Sequence, residues 1–203
     1  MIRDVALSAS GLLDEQMGGE GVKPYQPTGL WSALMHPGSN TKLYVKDEGE
    51  KLYRRSLYVY WKRTSPHPMM TLFDAPSRES SCVRRSRTNT SLQSLGLFNE
   101  TQRVETARVL AERLLHETKD DNSRLDLLFN LLASRPPTSS EREACTNLLH
   151  SMQKRFEADE QAASDLLSIG DAPRDTKLNE TEHAAWLQVA ITVLASDIAI
   201  SLY

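Results

Sequence analysis

The stretch RLDLLFNLLASRPPTSSEREACTNLLHSMQKRF, residues 124–156, decides the fold. Its first part sets Leu125, Leu128, Phe129 and Leu132 on one helical face. Arg135-Pro136-Pro137 then stops the helix, because proline lacks an N–H donor and clashes with the preceding turn. Thr138 and Glu141 restart one at once as a capping box, and Cys145, Leu148, Leu149, Met152 and Phe156 follow along a single stripe. Two helices joined by so short a turn are antiparallel neighbours, which implies a helical array.

The same signals recur on either side. Thr90 with Gln93 opens a short helix through Leu95 and Phe98, and Asn99 with Gln102 opens the next, whose stripe is Val104, Ala107, Leu110 and Leu114. Downstream, a helix around Ala162 to Ile169 ends at Gly170, a residue suited to the left-handed conformation after a helix. The last begins near Asn179 and Glu182 and carries Trp186, Val189, Ala190, Val193 and Leu194 before the chain ends at Tyr203. Residues 90–203 therefore read as an antiparallel helical array, with Cys145 a buried thiol on one of its stripes.

Residues 1–89 read differently, as a loop-rich, basic half. After a helix over Ile2 to Leu13, residues 14–50 are punctuated by Gly18-Gly19, Pro24-Tyr25-Gln26-Pro27 and Gly29 with no sustained period. So long an irregular path is uncommon inside a compact domain, which predicts that it lies against a surface supplied from outside the chain. Tyr53, Leu57, Tyr60 and Trp61 recur at helical spacing and predict a helix over 52–63, although the alternation Leu57, Val59, Trp61 also suits a strand. The fold class is mainly α, and the two halves make one domain that starts as if truncated.

Composition excludes more than it assigns. At 203 residues and 39% hydrophobic content the chain can bury a core, and it has no run of about 18 apolar residues that would span a bilayer. Its opening lacks the order of a signal peptide. Between residues 51 and 87 there are nine basic side chains and two acidic ones, a local charge of +7 in a chain of −3, so the remainder carries −10. One account of this asymmetry is structural: planar guanidinium forks fasten an irregular loop to carboxylates and backbone carbonyls. The other is a site for an anionic polysaccharide at Lys62, Arg63, Arg84, Arg85 and Arg87, beside Tyr58, Tyr60 and Trp61. Nucleic acid is disfavoured, because the pI is near 6.0 and no recognition motif is present.

Three blocks are more specific. They are Pro24-Tyr25-Gln26-Pro27 with Trp31; Arg54-Arg55 with Trp61; and Asp74, Cys82 and Asn89 within a run from Phe73 to Gln93. Together they resemble a planctomycete-specific domain of unknown function that closes large proteins whose earlier parts often include a cytochrome-c-like module, and the resemblance runs over nearly the whole chain. It implies an exported parent, periplasmic or at the cell surface, with upstream domains as partners. It carries no activity with it.

Catalytic readings are weak. No cysteine is followed by the C-x-x-C-H spacing that anchors haem, so the expectation is no cofactor in this chain and any haem in an upstream domain. His36, His67, His116, His150 and His183 lack helical metal-site pairing. Cys82, with Arg84 and Arg85 beside it and His67 and Asp74 as candidate partners, is the one nucleophile to consider, but no local signature surrounds it. The expectation is a non-catalytic structural or interaction module of a larger protein.

Overall fold

The computed structural model of the chain describes residues 2–34, 36, 38–39 and 42–200. The readings attached to Met1 and to the chain end at Tyr203 lie outside the described residues. It is mainly α, with ten α-helices and no sheet among the described residues. They are α1 (Ile2–Ser10), α2 (Leu30–Leu34), α3 (Pro68–Leu72), α4 (Ser91–Asn99), α5 (Thr101–Glu117), α6 (Asp121–Ala133), α7 (Ser139–Ala158), α8 (Glu160–Leu167), α9 (Glu180–Leu194) and α10 (Asp197–Ile200). Contacts divide the chain into two compact units, one of Met1–Leu13 with Leu97–Tyr203 and one of Asp14–Gly96. The sequence puts its division at 89/90. In the structure α1 joins the array because long side chains of α5 hold its backbone: Arg103 donates to the Ile2 carbonyl at 3.3 Å and Arg113 to the Ala9 carbonyl at 2.9 Å.

The array is built around α9, which packs against α5, α7 and α8. It buries Ala184, Ala185, Trp186, Leu187, Val189, Ala190, Ile191, Val193 and Leu194, and a helix apolar on every side is a core helix. The capping box at Thr138 and Glu141 is formed in full, with Thr138 Oγ1 accepting from the Glu141 amide and the Glu141 carboxylate accepting from the Thr138 amide at 2.7 Å. Such a cap contributes about 1 kcal/mol. Arg135 grips the same carboxylate with both guanidinium nitrogens, at 2.8 and 2.7 Å, and this pairing is the main reason its pKa falls to about 2. At Asn179 the cap is also as read, accepting from the Glu182 amide at 2.9 Å. The start of α5 differs by one residue: Glu100, not Asn99, caps it by accepting from the Arg103 amide at 2.9 Å.

Gly170 has a φ of +96, but it lies beyond the end of α8, not at its cap. Its absence of a side chain serves a close approach, because a Cβ there would meet the Glu105 carboxyl group at 2.6 Å. Glu105 is fully buried on α5 and accepts from the Asp171 and Ala172 amides at 2.6 and 2.7 Å. From the same helix Arg108, also buried, donates to the Ala172 and Pro173 carbonyls. The connection between α8 and α9, which has no ladder of its own, is held by these two side chains.

His183 of α9 is 1% exposed and its Nε2–H donates to the Arg108 carbonyl at 3.0 Å. Burial pushes its pKa below the ordinary 6.5, so the folded state keeps it neutral where the unfolded chain takes up a proton. The unfolded state then binds more protons, and stability falls as pH drops through the unfolded value toward the folded one. Melting temperature is expected to decline between about pH 7 and 5, and His183→Gln to flatten that decline. A slope unchanged in the variant would assign it to other groups.

In the Asp14–Gly96 unit the helix expected over 52–63 is not formed. Two 3-10 turns, Gly49–Tyr53 and Ser56–Tyr58, lead into extended backbone. The reason lies in another segment: Val22 takes both sides of a parallel bridge, donating to the Tyr58 carbonyl and accepting from the Tyr60 amide, each at 2.8 Å, and the Asp14 amide donates to the Tyr53 carbonyl at 3.1 Å. The irregular path from residue 14 therefore finds part of its surface within the unit. Helix α4 starts at the predicted capping box, Thr90 donating to Gln93 Oε1 at 3.0 Å and accepting from its amide at 3.3 Å.

Candidate functional site

The Pro24-Tyr25-Gln26-Pro27 and Trp31 block builds an aromatic cluster. Trp31, at the start of α2, is buried, with Tyr44 edge-on at 4.9 Å and Tyr60 at 5.7 Å between ring centroids. Tyr25 is buried too, and its carbonyl accepts from His67 Nε2 at 2.8 Å. Ammonium groups lie over these rings: Lys62 at 3.9 Å from the Trp31 centroid, Lys46 at 4.6 Å from Tyr25 and Lys23 at 5.6 Å from Tyr60. A cation over an aromatic face is held by the ring quadrupole, which lets a lysine stay within such a cluster. Lys62 is 8% exposed, and burial lowers its pKa.

Arg54 organises the second block. One guanidinium nitrogen donates to the Gln16 carbonyl at 3.0 Å and to that of Gly18, another to Glu20 at 3.2 Å, while Nε lies 3.7 Å from Asp14 and the plane stacks 4.0 Å from the Tyr58 centroid. Gly18 and Gly19 have φ of +79 and +86, the left-handed geometry that turns this loop about the arginine. Arg55 points to the Met17 sulfur at 3.6 Å. Trp61 lies under Arg78 at 5.1 Å.

In the third block, Asp74 at φ +54 accepts from the amide and hydroxyl of Thr88, each at 2.8 Å. Gln93 then ties Thr88 to the Leu72 carbonyl. Asp74 and His67 are thus engaged elsewhere, and Cys82 hydrogen-bonds to neither. Cys82 is an exposed free thiol and Cys145 a buried one whose pKa burial raises.

The five candidate anion-binding residues do not form one cluster. Lys62 belongs to the aromatic core, and Arg63 pairs with Glu79 at 2.7 Å. Arg84, Arg85 and Arg87 stand on a segment, residues 77–92, that is exposed throughout and also carries Cys82 and Asn89. Lys23, Tyr44 and Lys46 complete the aromatic cluster and escaped the sequence reading as site residues, since irregular backbone offers no period to mark them. Among the described residues no group of three or more His, Cys, Asp or Glu could hold a metal ion. Brief trypsin digestion is expected to cut first after Arg84, Arg85 or Arg87, because exposed segments open to a protease without global unfolding. First cuts within α5 to α9 would contradict the placement.

The chain is thus a mainly α protein with a helical array and a second unit of irregular backbone fastened by arginines and aromatic-seated lysines. It is a member of PSD1, a family described as protein of unknown function (DUF1553), whose family model matches residues 1–149. The match ends at Leu149 within α7, short of the nearly full length over which the sequence resemblance was read. No curated protein and no solved structure matches the chain. No helix among the described residues is long and apolar enough to cross a membrane.

Proposed function

We propose that the chain is a non-catalytic interaction module that closes a larger, exported planctomycete protein, with the Asp14–Gly96 unit as its contact surface. The observation that carries this reading is where apolar surface is left uncovered. Among the described residues, every exposed large apolar side chain falls between Met17 and Phe98: Met17, Leu34, Leu43, Val45, Leu57, Tyr60, Val83, Leu92, Leu95 and Phe98. All of them but Phe98 belong to the Asp14–Gly96 unit, which presents them alongside its basic residues, and apolar surface left exposed in one unit is what a partner can cover. Upstream domains of the same parent are the partners proposed, a cytochrome-c-like module carrying any haem among them. The upstream part, expressed separately, is expected to bind the chain and slow hydrogen exchange within residues 14–96. Binding that protects only the array, or no binding, would remove the proposal.

A second reading, anionic polysaccharide binding, is favoured by Arg84, Arg85 and Arg87, which stand exposed and pair with no carboxylate among the described residues. It expects retention on a sulfated matrix that weakens with salt and in Arg84→Ala/Arg85→Ala. Retention unchanged in the double variant would remove it.

A further inference from the structure

Helix α4 has two faces of opposite character. One is fixed: Gln93 and Leu97 are buried, Gln93 Nε2 donates to the Leu72 carbonyl and Thr88 hydroxyl, and a Cβ on Gly96 would meet the Leu72 side chain at 2.6 Å. That face seats the helix. The other face carries Leu92 and Leu95, 60% and 58% exposed and one turn apart, so they form a short apolar strip. Immediately before the helix runs the exposed segment with Val83, Arg84, Arg85 and Arg87, anchored to the helix start through Asp74, Thr88 and Gln93. The apolar strip thus follows three exposed guanidiniums that pair with no carboxylate among the described residues, and the helix N-terminus adds positive potential at the same place.

Building on the interaction-module reading, we propose that this strip and its arginines are the docking surface for an acidic amphipathic helix of a protein partner. Leucines on the partner would cover Leu92 and Leu95, and its carboxylates would face Arg84, Arg85 and Arg87, which pair with them bidentately. Two observations favour a protein over a polysaccharide. The leucines offer nothing to a sulfated sugar, and Val83, also exposed, adds apolar surface directly before the basic run.

The test uses the full chain and synthetic probes. One is an amphipathic helix about five turns long with a leucine stripe and glutamates elsewhere; a second has lysines in place of the glutamates; a third is dextran sulfate. Fluorescence anisotropy is expected to show saturable binding of the acidic helix, weakened about tenfold or more by Leu95→Glu and by Arg84→Glu/Arg85→Glu, and no binding of the basic helix. Both variants alter exposed side chains, and unchanged melting curves would show that they fold. Equal binding of the two helices, or undiminished binding by Leu95→Glu, overturns the proposal. So does dextran sulfate binding that needs the arginines and not Leu95, with the acidic helix ignored; that outcome assigns the arginines to a polysaccharide. If the upstream part protects other amides of residues 14–96 but leaves 83–95 unprotected, this surface fails while the interaction-module reading stands.

Discussion

Arg108→Ala is expected to lower the unfolding free energy of the helical array by about 3 kcal/mol, measured by urea or thermal unfolding. The guanidinium is 1% exposed and donates to the carbonyls of Ala172 and Pro173, at 2.6 and 3.3 Å. Without it two acceptors in the α8–α9 connection lose their donor, and each unsatisfied buried group costs about 1–3 kcal/mol. The neighbouring elements amplify the loss. Glu105, one turn earlier on α5, holds the amides of Asp171 and Ala172 in the same connection, and His183 donates to the backbone carbonyl of Arg108 itself. Arg108→Met keeps most of the volume and removes the donors, so it separates lost packing from lost hydrogen bonds. A methionine variant as stable as the wild type would show that packing alone matters, and a loss below about 1 kcal/mol in Arg108→Ala would show that water takes over the carbonyls.

That arginine was invisible in the sequence for a physical reason. Periodicity finds helices whose apolar stripe alternates with polar residues, and it placed α6, α7 and α9 by Phe129, Leu149 and Trp186, all of them buried. Capping boxes marked the starts at Thr90, Thr138 and Asn179 because both partners are local. A buried Arg103, Glu105 or Arg108 breaks the stripe and looks like a surface residue, since its partners, the carbonyls and amides of distant segments, leave no trace in local spacing. The same limit undid the helix expected over 52–63, where Val22 supplies the hydrogen bonds that decide the backbone. For the candidate site, the basic asymmetry could be counted but not divided. Lys62 is seated over Trp31 and Arg63 pairs with Glu79, whereas Arg84, Arg85 and Arg87 stand together on the exposed segment.

Arg54 is the test of whether the irregular unit is held as these contacts imply. Arg54→Ala is expected to free residues 14–22, with a local cost of about 3 kcal/mol, because the carbonyls of Gln16, Gly18 and Glu20 lose a shared donor and Asp14 its counter-charge. The readout is hydrogen exchange at the amides of Val22 and Asp14, whose bonds to the Tyr58 and Tyr53 carbonyls depend on the loop closing over the arginine. Arg54→Lys is expected to fail almost as fully, since a single ammonium on a flexible stem cannot present the planar fork that reaches three carbonyls while stacking on Tyr58. Protection at Val22 and Asp14 equal to wild type in Arg54→Ala would mean that the Val22–Val59 bridge closes the loop unaided. If protection is lost, Met17, exposed on that loop, owes its position to Arg54, and the contact surface proposed for this unit is set by an arginine that takes no direct part in it.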